Sequence, residues 1–231
     1  MQRNIYLALG DSVTVGHGAT HPNMSFIYQF GSYSREKSLA DQTIVIAQNG
    51  WTSGDVFQAT HFIDKTIWDH TNLLTLMTGG NDLRKLLRRL YLPLSRSPIT
   101  PELVNQRLQE FGFHLNLLCR SISYHNIPFV LVATVYNPVP NFPLAVNAIE
   151  SLNDIVRDMT KHYNFELVDV YNEFQKKEFN YIEGYRTGRF EDLVSPFRRP
   201  IHPSNTGHRR IADLFTKHLS FIERKKRSIK H

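Results

Sequence analysis

Ile5-Tyr6-Leu7-Ala8-Leu9-Gly10-Asp11-Ser12-Val13-Thr14 begins as a strand-like apolar run and breaks off at three small residues. Such a run predicts a strand whose C-terminal end carries the Ser12 hydroxyl, at the sheet edge where open α/β folds hold their ligands. Ser, Gly and Asp are also ordinary turn and helix-capping residues, so the turn alone assigns no chemistry.

Outward from that first strand, over residues 4–9, further strand-like runs cover 43–47, 73–78, 129–135 and 166–170. Helix-like stretches cover 24–38, 54–60, 101–124 and 144–163, and a last helix is predicted over 206–224 with Ser204 or Asn205 as its N-cap. Strands alternating with helices predict parallel pairing, right-handed crossovers and helices on both sheet faces, a three-layer α/β/α sandwich. Two stretches fit the alternation poorly. Residues 85–100 are basic and Leu-rich, and residues 173–200 are aromatic and basic. The second is expected to be either a surface excursion packed on the domain or a lid or substrate wall, because irregular segments of this length are often functional. One domain is predicted over residues 1–224, followed by a basic tail at 225–231.

With 231 residues, 41% of them apolar, the chain can build an ordinary single core. No apolar stretch approaches the ~18 residues of a membrane span. Met1-Gln2-Arg3-Asn4 leads directly into the first strand and leaves no room for a secretory signal, so a cytoplasmic protein is expected. The single Cys119 excludes an internal disulfide, argues against a Cys-based zinc site and suits a buried small apolar role. The net charge of +6 lies partly in the tail Arg224-Lys225-Lys226-Arg227. No nucleic-acid-binding motif accompanies it, and no nucleic-acid partner is expected.

Two short motifs give Ser12 a chemical context. Thr78-Gly79-Gly80-Asn81-Asp82 follows another apolar run, and Ile201-His202-Pro203 precedes the last helix. A nucleophile, an amide donor and an imidazole base thus occur in the order Ser12, Asn81, His202, which are the parts acyl transfer needs. The lipase-type Gly-x-Ser-x-Gly elbow is absent, which argues against the α/β-hydrolase fold. The first turn also lacks the Walker Lys and the Gly-x-Gly-x-x-Gly spacing of nucleotide binders.

With these blocks the chain resembles the SGNH (GDSL) hydrolases: Gly10-Asp11-Ser12-Val13, Asn49-Gly50-Trp51-Thr52-Ser53-Gly54-Asp55, Gly79-Gly80-Asn81-Asp82 and His202-Pro203 stand in the family's order. The resemblance implies a five-stranded parallel, flavodoxin-like sheet in the order 2-1-3-4-5. It implies Ser12 as nucleophile, His202 as base, and an oxyanion hole made by the Ser12 and Gly54 backbone N–H groups and the Asn81 side-chain amide. Gly50 competes with Gly54, which is preferred because the family's second block ends in Ser-Gly-Asp. His208, on the predicted last helix, is expected at the surface or behind the site.

The chain departs from the family pattern at Arg199, where an Asp three residues before the His is usual. A carboxylate there would orient the imidazole and stabilise its positive charge, which Arg cannot do. Three arrangements are open. A main-chain carbonyl near Arg199 accepts the His202 Nδ1 proton, or Asp192 or Glu191 folds back to replace the carboxylate, or the enzyme is weakened. The expectation is a serine ester hydrolase without metal or cofactor, acting on lipid or acyl esters as a lipase, lysophospholipase or arylesterase. The alternatives are a carbohydrate deacetylase of the same fold and a catalytically weakened ligand-binding member. The partner is a small-molecule ester, and the sequence leaves the oligomeric state open.

Overall fold

All six residues of β1 (Ile5–Gly10) are buried, because helices cover both faces of the strand. The computed structural model describes residues 4–87, 99–194 and 199–229. β1 lies inside a five-stranded parallel sheet with β2 (Gln42–Ala47), β3 (Thr71–Met77), β4 (Phe129–Ala133) and β5 (Glu166–Val168), in the order β2-β1-β3-β4-β5. This is the three-layer, flavodoxin-like arrangement that the alternation and the motif blocks predict.

Strand parity divides the core. Ile5, Leu7, Leu9, Leu74, Leu76, Val130 and Val132 face one layer. That layer is built from α3 (Ser53–Thr60), α4 (Lys65–His70), α5 (Gly80–Leu87), α6 (Pro101–Ser123) and α7 (Pro143–His162). Tyr6, Ala8, Leu73, Leu131 and Val168 face the other, where α2 (Phe26–Glu36) packs against α11 (Asn205–Ile229). Period-two alternation of strand side chains sends each set to its own face. Phe215 of α11 stacks on Phe26 at 5.7 Å and packs tilted against Phe30 at 5.4 Å between ring centroids, and all three are essentially inaccessible. Cys119, inside α6, is fully buried, and burial pushes its thiol up to about 12.

Element ends move where side chains take over the backbone. β4 stops at Ala133 rather than residue 135, because the buried Asn153 of α7 binds both the N–H (2.7 Å) and the carbonyl (2.8 Å) of Val135. β5 stops at Val168 because Asp169 caps α8 (Val170–Phe174) through the Asn172 N–H. Ser204, not Asn205, caps α11, accepting the Gly207 N–H on its hydroxyl and the His208 N–H on its carbonyl. That helix also runs on to Ile229, so most of the stretch expected as a separate tail continues it. The 173–200 segment contains α9 (Glu178–Tyr181) and α10 (Phe190–Val194). The basic Leu-rich segment falls mostly on residues 88–98, outside the described residues.

Candidate active site

The site forms at the C-terminal ends of β1 and β3, where neighbouring crossovers leave in opposite directions and an open α/β sheet leaves a crevice. Asp11, not Ser12, caps the short α1 (Ser12–Val15), accepting the Val13 N–H at 3.0 Å. Ser12 is thereby left as the first helical residue with its hydroxyl uncommitted to the cap. A Cβ at Gly10 would collide with Thr14 Oγ1 and the Met77 carbonyl, so only glycine lets β1 end this close to β3.

β3 leads through Gly79, at φ 126°, into α5, whose first turn carries Asn81 and Asp82. These two residues grip the 51–53 segment. Asn81 Nδ2 donates to the Trp51 carbonyl at 2.9 Å, while the Asp82 carboxylate accepts the Ser53 hydroxyl at 2.7 Å and its N–H at 3.0 Å. A second, long contact runs from Asn81 Nδ2 to Asp11 Oδ2 at 3.4 Å. That weaker contact is the one a bound oxygen would displace first.

His202 arrives from the other end of the chain. Its Nε2 lies 3.1 Å from Ser12 Oγ. The loop that carries it is stitched by backbone bonds to the α9 segment. Glu183 N–H donates to the His202 carbonyl at 2.9 Å, Ser204 N–H donates to the Tyr181 carbonyl at 2.8 Å, and Pro203 forms a bridge with Ile182. Burial pushes the imidazole down to about 4, and the charges of His17, Arg84 and His208 push the same way. The ring is therefore neutral at pH 7 and able to accept the Ser12 proton. Burial also raises the Asp11 carboxyl to about 7.

Gly54 is the second residue of α3, and its N–H has no acceptor among the described residues. A Cβ there would stand 3.1 Å from the His114 ring, a tight contact that a larger residue would relieve only by shifting that ring. Gly50 occupies a turn at φ 80°, with Arg84 Nη2 3.9 Å from where its Cβ would be.

None of the carboxylates considered for orienting His202 does so among the described residues. The Asp192 carboxylate is buried and accepts the N–H groups of Thr187 (2.9 Å) and Gly188 (2.8 Å), closing its own loop. Glu191 is exposed. The expected main-chain acceptor is not found among the described residues either. The Arg199 carbonyl takes the Ile201 N–H at 2.9 Å, and among the described residues no group accepts from His202 Nδ1. The Arg199 residue is exposed. His208, expected at the surface or behind the site, is fully buried, bonding the His17 carbonyl at 2.9 Å and the Phe26 N–H at 3.4 Å. Sequence reasoning missed His17, whose ring centroid lies 5.3 Å from that of His202. It also missed Arg84 and Tyr136 at the cavity beside the site. His17 follows Ser12 by five residues and Arg84 follows Asn81 by three, but no residue-type pattern singles them out.

A cavity of about 140 Å³ opens beside Ser12, Asn81 and His202, and its wall is overwhelmingly hydrocarbon. Leu86, Val104, Ala148, Ile149 and Leu193 are among its lining residues. Among the described residues no cluster of His, Cys, Asp or Glu is placed to hold a metal ion, and no helix is long and apolar enough to cross a membrane.

A neutral imidazole within hydrogen-bond reach of a serine hydroxyl, beside the Asn81 side-chain amide at a strand edge, fits the serine-hydrolase class of site. Residues 8–210 match the GDSL-like Lipase/Acylhydrolase family, and the chain belongs to it; it is a serine hydrolase acting on carboxylic esters. It is similar to the spore germination lipase LipC of Bacillus licheniformis, with 24% identity over 214 residues covering 90% of this chain and 92% of that one. Among solved structures, the lipase Lip_vut3 from a goat rumen metagenome superposes with a TM-score of 0.73 at 19% identity, covering 93% of this chain and 97% of the other. The acetylxylan esterase Axe2 of Geobacillus stearothermophilus does so at 0.63 and 17% identity, covering 94% and 96%.

Proposed function

We propose that the protein hydrolyses esters of short-to-medium acyl chains through an acyl-enzyme on Ser12. His202 Nε2 takes the hydroxyl proton as Ser12 Oγ attacks the ester carbonyl, then gives it to the departing alcohol. A water molecule then gives a proton to His202 as it attacks the acyl carbonyl, and His202 returns that proton to Ser12 Oγ as the bond to the acyl group breaks and the acid leaves. The developing oxyanion is received by the Ser12 and Gly54 N–H groups and by Asn81 Nδ2, whose long contact to Asp11 gives way.

The apolar cavity beside Ser12 carries this reading of the substrate. A buried apolar space of ~150 Å³ accommodates a molecule the size of benzene, so the ~140 Å³ here suits an acyl chain of about six carbons. A sugar in this space would set most of its hydroxyls against hydrocarbon. Leu193 of α10 contributes to that wall, which supports a substrate-wall role for the 173–200 excursion.

The test is a p-nitrophenyl ester series from acetate to palmitate. Each methylene buried stabilises by ~0.8 kcal/mol, so kcat/KM should rise roughly fourfold per carbon until the cavity is full, near hexanoate. A maximum at acetate with steady decline afterwards would favour a deacetylase. Ser12→Ala should abolish turnover with the fold intact, and retention of more than a few per cent would refute the nucleophile.

A further inference from the structure

The missing carboxylate at position 199 raises the question of what holds the catalytic imidazole. His202 Nδ1 has no acceptor among the described residues, yet Nε2 stands 3.1 Å from Ser12. The loop is held through its main chain. Tyr136 is buried, and its hydroxyl donates to the carbonyl of Ile201, the residue immediately before His202, at 2.7 Å. Burial raises the phenol well above its ordinary range, so it remains a neutral donor at every working pH. The Tyr136 ring is itself fixed, stacked on Phe174 at 4.7 Å and 23°. The residue just before it, Val135, is clamped on both its main-chain N–H and its carbonyl by Asn153, a fully buried side chain of α7.

We propose that Tyr136 is a positioning residue for the hydrolysis. Through its bond to the Ile201 carbonyl, it sets the direction from which the His202 ring meets Ser12 and does in part what an orienting carboxylate would do. The clamp runs from Asn153 through Val135 and Tyr136 to the backbone at Ile201, in addition to the Glu183 and Ser204 backbone bonds that hold the same loop. A carboxylate bonded to Nδ1 would restrain the ring and stabilise its charge. A backbone anchor restrains only the ring's root, so it provides geometry without charge stabilisation.

This inference rests on the Ser12–His202 reading, and a fluorophosphonate probe separates the two. The probe should label wild-type protein and leave Ser12→Ala unlabelled; no label on the wild type would refute the hydrolase reading and this one with it. Tyr136→Phe keeps the ring and removes one oxygen. With turnover counted per site labelled at completion, kcat on p-nitrophenyl hexanoate should fall about tenfold, the kinetic equivalent of one net hydrogen bond, with KM within twofold of wild type. The second-order rate of Ser12 labelling should fall in parallel. A kcat within twofold of wild type would overturn the assignment, even if the melting temperature dropped, since the bond would then hold the fold and not the base. A raised KM at unchanged kcat would also overturn it, making Tyr136 part of the substrate wall.

Discussion

His202 and Asp11 lie on opposite sides of Ser12 in the sequence, and burial shifts both towards their neutral forms. For His202, held at about 4, the base form persists well into acid. The kcat/KM profile should therefore stay flat from pH 8 to about 5 and fall through an apparent pKa near 4; a fall centred near 6.5 would show the imidazole to be solvated. For Asp11, raised to about 7 from 3.8, the folded state holds a proton that the unfolded state has lost between those values. Its contribution to stability is thus greatest at low pH and declines as pH rises towards 7. Asp11→Asn keeps a cap acceptor for Val13 and cannot ionise. It should raise the melting temperature at pH 8 by several degrees and leave it nearly unchanged at pH 4, as calorimetry at the two pH values would show.

At the scale of elements, α5 and α7 contribute to the cavity wall while the loop before α11 brings His202 to Ser12. Ala148 sits on α7, buried and facing the cavity. Ala148→Phe fills space that an acyl chain would occupy and leaves Ser12 and His202 untouched. It should lower kcat/KM for octanoate esters at least tenfold and change acetate esters by less than twofold, moving the optimum to shorter chains. An unchanged chain-length profile would place the acyl group elsewhere.

For the whole molecule, the layer between α2 and α11 matters beyond stability, because α11 follows directly from the loop that carries His202. Phe215 fills the centre of that layer against Phe26 and Phe30. Phe215→Ala should cost about 3–5 kcal/mol in urea unfolding. The same packing brings residues 12 and 202 together from opposite ends of the chain, a connection no local pattern can encode.

The alternation of apolar runs with helical stretches determined the layer order, since a strand can be buried on both faces only when helices cover each side. Gly10-Asp11-Ser12, Gly79-Gly80-Asn81 and His202-Pro203 were legible because acyl transfer restricts residue type at the strand edges. The short helices were not, since α1, α4 and α8 to α10 span only four to six residues and depend on local caps such as Asp11 and Asp64. Nor was the partner of the His202 loop: the sequence marks Arg199 as an absence and says nothing of Tyr136, 65 residues from Ile201. Only the tertiary structure turns that tyrosine, in the stretch after β4, towards the loop, because Asn153 on α7 holds the residue before it and Phe174 on α8 stacks on its ring. Side chains that act through their neighbours leave no periodicity behind, and packing alone decides which neighbours they have.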